Sequence, residues 1–249
     1  VGRSTLAPLG SLRRSVDLFR AFRVEQTDPD HFYGLLAADS ARQVRHYADL
    51  AGVTVLDVGG GPGYFADAFR SHGARYVAID ADLGELSMRS APEPGTVLGS
   101  GTALPIRTGA IDVCYSSNVL EHVATPETMA DEMVRVTRTG GTVFLSYTLW
   151  WGPWGGHETA PWHYLGGRRA ADRYARTRGK RPKNEFGTSL FPITARRMLR
   201  WAADRERAGQ VEIVAALPRY HPAWASWVVR VPLLRELVAW NLVLVLRTR

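Results

Sequence analysis

Residues 56–65 read LDVGGGPGYF, and the passage from apolar residues into glycines decides the fold. VTVLDV, residues 53–58, predicts a buried strand. Gly59, Gly61 and Gly63 then let the chain turn sharply and bring backbone N–H groups close to a ligand. Such a turn suits a nucleotide-like ligand without choosing one. The dinucleotide frame G-x-G-x-x-G/A fits Gly61, Gly63 and Ala66 only by starting two residues after the first glycine has ended the strand. It also leaves Asp57 where a diphosphate would approach, and a carboxylate there repels a diphosphate but suits a cationic amino-acid ligand. Asp80, 21 residues after Gly59, ends the next strand, where its oxygens are placed to accept hydrogen bonds from a ribose diol.

Outward from this turn, strands and helices alternate. Residues 64–73 predict a helix, RYVAID (75–80) a second strand, LGELSMR (83–89) a short helix and TVLGSG (96–101) a third strand. IDVCYSS (111–117) is the fourth strand, ETMADEMVRVT (127–137) a helix ending near Gly140 and Gly141, and TVFLSYTLW (142–150) the fifth strand. ITARRMLRWAADRE (193–206) predicts a helix, VEIVAAL (211–217) a sixth strand, and NLVLVLRTR (241–249) a last strand beside it. Before the sheet, RRSVDLFRAF and residues 29–52 are helical in pieces, with Gly52 suited to a helix end. The expected architecture is α/β and doubly wound, a mostly parallel sheet with helices on both faces and ligands at the carboxyl ends of its strands.

A chain of 249 residues with 45% hydrophobic and 22% charged residues is that of an ordinary globular protein of one elaborated domain. Its parts read as a helical cap (1–52), a cofactor-binding core (53–149), a substrate-side insertion with its helix (150–210) and final strands carrying an apolar lid (211–249). Cys114 is the single cysteine, so no intramolecular disulfide forms, and a reducing cytoplasm is expected. No window reaches the roughly 18 uninterrupted apolar residues of a spanning helix, and the N-terminus has no signal-peptide core.

LDVGGGPGYF followed by IDAD, ALPI, IDVCYSSNVLEHV and EMVRVTRTGGTVFLS resembles the class I S-adenosylmethionine-dependent methyltransferases across residues 53–147. The resemblance implies a Rossmann-like sheet of seven strands, the last antiparallel between the fifth and sixth. It implies S-adenosylmethionine as cofactor, with Asp57, Gly59, Gly60, Gly61, Gly63 and Tyr64 around the methionine part and Asp80 with Ala81 at the ribose. Ser100, Gly101 and Thr102 would flank adenine, and Ser117 and Asn118 would line the edge where substrate enters. Two positions depart from the pattern: Ser100 stands where many relatives carry aspartate, and Thr139 replaces the proline before the glycine pair. FYGLLAAD, GGHE, HYLGG and NLVLVL extend the resemblance to actinobacterial methyltransferases of unassigned substrate.

The acceptor side is expected in WWGPWGGHETAPWHY, residues 150–164, which begins where the fifth strand ends and holds four tryptophans and two histidines. His157 and His163 are candidate bases or acceptor ligands, with Glu158 to orient one of them; packing of the segment against the domain is the alternative. His122 reads as helix-start structure. In some quinone-type methyltransferases two glutamates and a histidine near this position hold a divalent ion; here Glu121 and His122 remain, but Asn118 takes the place of the first glutamate. No metal is expected, since the histidines show no compact ligand spacing and Cys114 stands alone. The run 168–183 carries eight Lys or Arg against one Asp, yet the tryptophans are not interleaved with it and no recognised binding module accompanies it, so it is a poor nucleic-acid signature. WASWVVRVPLLRELVAW, apolar with arginines along it and tryptophans near both ends, suits a buried lid, an oily acceptor or peripheral membrane contact. A hydrophobic small-molecule or lipid-linked acceptor, methylated on oxygen, joins most of these features; protein or nucleic-acid methylation and a non-catalytic cofactor-binding role are the alternatives.

Overall fold

The computed structural model of the protein describes residues 9–25, 27–86 and 94–249. Helices α1 (Leu12–Phe22) and α2 (Pro29–Arg45) precede the sheet. There follow β1 (Thr54–Val58), α3 (Ala66–Arg70), β2 (Arg75–Asp80), α4 (Leu83–Leu86), β3 (Thr96–Leu98), β4 (Ile111–Ser117), α5 (Pro126–Val136) and β5 (Thr137–Thr148). The second half adds α6 (Gly167–Arg178), α7 (Ala195–Arg207), β6 (Val211–Pro218), α8 (Pro232–Leu237) and β7 (Asn241–Thr248). The strands form one seven-stranded sheet in the order β3-β2-β1-β4-β5-β7-β6. β1 to β5 pair in parallel, whereas β7 runs antiparallel to both β5 and β6, as the resemblance implied.

Alternation along each strand explains why helices cover both faces. Val55, Val113, Phe144 and Val243 point to the face packed by Leu36 of α2 and Phe69 of α3. Their neighbours Leu56, Cys114, Leu145 and Leu244 point to the other, under Met129 and Met133 of α5 and Met198 and Trp201 of α7. Each large side chain so buried contributes roughly 1.5–3 kcal/mol. The helices start where their caps dictate: Ser11 accepts from the Arg14 N–H at 3.2 Å, and Asp28, followed by Pro29 in the first turn, from the His31 N–H at 3.1 Å.

Two boundaries stand apart from the sequence reading, and a third is not described. α2 ends at Arg45; Leu50 is wholly buried, and Gly52, at φ +73°, closes the turn into β1 rather than the helix. α5 stops at Val136 and the chain passes directly into β5, whose register to β4 shifts between Ile111 and Val113. The end of the helix expected over 83–89 lies outside the described residues.

A buried ionic network, unforeseen in the sequence, ties the cap to the sheet. Arg14 donates to both oxygens of Asp39 at 2.6 Å and to the Arg219 carbonyl at 3.1 Å. Arg219 in turn donates to Ser40 and Ser117, both at 2.6 Å, and to Ser146. In residues 219–240, the expected lid, Ala225, Val228 and Val229 are buried, while Trp224 and Leu233 are each 71% exposed. Among the described residues, no helix is long and apolar enough to cross a membrane.

Candidate functional site

The glycine turn sits at the carboxyl end of β1. Gly59, Gly61 and Gly63 have φ of +82°, +51° and +82°, a region that costs any side chain with a Cβ. A Cβ on Gly59 would collide with Val119, and one on Gly60 would lie 2.9 Å from Ala78, whereas Gly61 faces open space. Close packing underneath and an open face above is the cradle a ligand needs. The N–H groups, expected to face the ligand, are used by the protein itself: Gly63 donates within the turn to Gly60 O at 3.2 Å, while Gly59 donates to Ile79 O of β2 at 2.7 Å and Gly61 to Asp80 Oδ2 at 2.9 Å.

Two carboxylates flank the turn in contrasting states. Asp57 is 1% exposed and accepts the Tyr76 hydroxyl at 2.6 Å; burial pushes its pKa up to about 7 against the pull of that hydrogen bond. A cationic ligand would hold it ionised. Asp80 accepts one backbone N–H on each oxygen, from Gly61 and from Asp82, which fixes the carboxylate and leaves lone pairs for a diol. Ala81 is exposed beside it.

The rest of the rim follows. Tyr64 stacks on Tyr33 of α2 at 4.6 Å. Ser100 and Thr102 bond to each other through their hydroxyls at 2.8 Å, and a Cβ on Gly101 would press on Val58 at 3.0 Å and the Met129 sulfur at 3.1 Å. Ser117 ends β4 and Asn118 follows it, but their side chains are already engaged, Ser117 by Arg219 and Asn118 by the Asn241 amide at 2.6 Å. Asn118 sits at φ +58°, a conformation asparagine tolerates better than most residues.

The insertion after β5 resolves its three candidate residues differently. His163 is 1% exposed, its Nε2 is 3.3 Å from Gly152 O, and its ring packs on Trp150. That enclosure makes it a packing residue rather than one that meets an acceptor. Glu158 is exposed and accepts from the Asn184 amide at 3.0 Å, so its hydrogen bond goes to the α6 side instead of to a histidine. His157 alone turns toward the sheet: its ring lies 5.1 Å from that of His122, and ligand atoms of Glu121, His122 and His157 lie within 4.8 Å of one another. Burial lowers the pKa of His157, which favours the neutral imidazole. His122 belongs to a 3-10 turn, Leu120–His122, and its Nδ1 meets Ser189 O at 2.6 Å. Sequence spacing missed this trio because His157 stands 35 residues beyond His122; only the placement of the insertion over the ends of β4 and β5 joins them.

The tryptophans have a packing partner. Ring contacts run unbroken from Tyr64 through Tyr33, Phe32, Phe22 and Trp154 to Trp240. This aromatic wall links the glycine turn to the insertion and the lid. The basic run, in turn, is partly neutralised within the chain: Arg181 pairs with Asp172 and Glu185, Lys183 with Glu85 at 2.7 Å, and Arg173 lies 4.0 Å from the Trp162 ring centre.

A family model described as a methyltransferase domain matches residues 56–145. The chain is 51% identical over 252 residues to an uncharacterized methyltransferase of Mycolicibacterium gilvum, spanning 97% of each. It belongs to the S-adenosylmethionine-dependent methyltransferases. A second relative, from Mycobacteroides abscessus, is 49% identical over 98% of this chain and 97% of its own. An S-adenosylmethionine-dependent methyltransferase structure from Mesorhizobium loti matches with a TM-score of 0.56 at 19% identity, over 84% of this methyltransferase and 95% of that chain, a likeness of fold. S-Adenosylmethionine fits the cradle by its chemistry: Asp57 suits the cationic methionine part, Asp80 the ribose diol, and the open face of Gly61 leaves room for the ligand.

Proposed function

We propose that this methyltransferase methylates an oxygen of a hydrophobic small-molecule or lipid-linked acceptor. The observation that carries the reading is the aromatic wall from Tyr64 to Trp240, which gives an apolar or ring-bearing acceptor a surface reaching from the cofactor turn into the insertion. Exposed Trp224, Trp227 and Leu233 on the lid continue that apolar character outward and favour brief contact with a lipid surface as the acceptor's source.

S-Adenosylmethionine, when bound, supplies a methyl carbon made electrophilic by its sulfonium. Transfer is an in-line displacement: the acceptor oxygen bonds to that carbon as the carbon–sulfur bond breaks and its electron pair returns to sulfur. The chain's part is alignment, exclusion of water and removal of the hydroxyl proton. Apolar rings align and exclude; the Glu121–His122–His157 group, at the tips of β4 and β5, is the polar feature that meets the hydroxyl.

Incubating the protein with methyl-labelled S-adenosylmethionine and a fractionated extract of its own cells tests the reading. Label in the organic phase is expected, together with loss of transfer but unchanged cofactor affinity in His157→Ala. Label confined to nucleic acid, protein or the aqueous pool overturns it.

A further inference from the structure

Glu121 is 1% exposed. Its Oε1 accepts the Thr148 N–H at 3.0 Å, but Oε2 is buried without a partner, and among the described residues no Arg or Lys forms an ion pair with it. A buried carboxylate in that condition carries a large desolvation cost unless a cation meets it. Beside it, His122 Nδ1 is occupied at the Ser189 carbonyl, which accepts a hydrogen bond from it and so leaves Nε2 with the free lone pair. This is the outer-shell arrangement that orients a metal-binding imidazole. His157 brings a third donor, with Nδ1 buried and unpartnered, at φ +48°, in the left-handed region that histidine enters more readily than most non-glycine residues. The three side chains come from two places, Glu121 and His122 from the turn after β4 and His157 from the insertion.

We propose that Glu121, His122 and His157 form a binding site for a divalent transition-metal ion of the zinc class. Two imidazole nitrogens and one carboxylate oxygen suit zinc and its neighbours, whereas magnesium demands a nearly all-oxygen octahedron. Asn118 is engaged elsewhere, its side-chain carbonyl oxygen accepting from the Asn241 amide. Three protein ligands leave a coordination position open, the pattern of catalytic rather than structural zinc. The inference rests on and deepens the reading of the acceptor side: a cation held there makes the acceptor hydroxyl more acidic by coordination, so the trio's part in removing the hydroxyl proton, which passes to solvent, is to hold the ion.

Metal binding is read without turnover, so it stands or falls apart from the identity of the acceptor. The full-length protein, stripped with a chelator, is dialysed against Zn²⁺ in the presence of millimolar Mg²⁺, and bound metal is counted by mass spectrometry. One zinc per chain is expected, undisplaced by magnesium. His157→Gly, which removes the ring and relieves the positive φ, and Glu121→Gln are each expected to lower zinc affinity by more than the roughly 10–100-fold that outer-shell changes cost. Retained S-adenosylmethionine binding by both variants shows that they fold. Failure of the unaltered protein to retain zinc, displacement of zinc by magnesium, or unchanged affinity in both folded variants overturns the site.

Discussion

Asp57 shows how burial at one residue prepares a site for a cationic ligand. The unfolded chain ionises this carboxyl near 3.8, whereas the folded chain holds its proton until about 7. Between those values the folded state binds the extra proton, so stability of the ligand-free protein falls as pH rises through that window. Asp57→Asn is expected to flatten this slope in denaturant titrations from about pH 4 to 8. Because a cationic ligand favours the carboxylate, S-adenosylmethionine affinity is expected to rise with pH through about 7 and to drop about 10–100-fold in Asp57→Asn, the scale of a charge-assisted contact. Calorimetric titration at several pH values checks both. Asp57 and Asp80 were legible in the sequence because they stand at strand ends beside the glycines. The shift at Asp57 was not, since it arises from burial in the folded sheet, which the hydroxyl of Tyr76 on the neighbouring strand only partly opposes.

At the scale of elements, α7 depends on a residue from the lid. Its first turn is capped by Thr194, which accepts from the Arg197 N–H at 3.1 Å, and by Glu236 of α8, which accepts from the N–H groups of Ala195 at 2.9 Å and Arg196 at 2.7 Å. An anion at a helix N-terminus satisfies free N–H groups and opposes the dipole. Glu236→Ala is expected to cost about 1–2 kcal/mol in urea unfolding and to loosen the lid, seen as faster amide exchange over residues 232–237. Elements with strong local signals were legible: β1, β2, β4 and β7 fall within a residue or two of their apolar runs. The end of α5 was not, because Thr137 bonds back to Met133 O at 2.6 Å and already pairs with Ile111, drawing the residues before Gly140 into the strand. Nor was the site's third corner, since nothing local in GGHE reports that His157 will meet Glu121.

Across the whole molecule, Arg14, Asp39 and Arg219 join parts of the chain separated by 205 residues. Breaking such a pair strands a charge in the interior, so Asp39→Ala is expected to destabilise by about 3–5 kcal/mol. The loss is measurable as a lower urea midpoint and, because Arg219 reaches Ser117, as weaker cofactor binding. The order of the sheet adds a consequence in time. β6 pairs only with β7 among the described strands, and β7 is made last yet lies between β5 and β6. A chain emerging from the ribosome therefore carries two unpaired strand borders until residues 241–248 are available, and this long-lived opening is where a chaperone would be needed and where nascent copies would stick to one another.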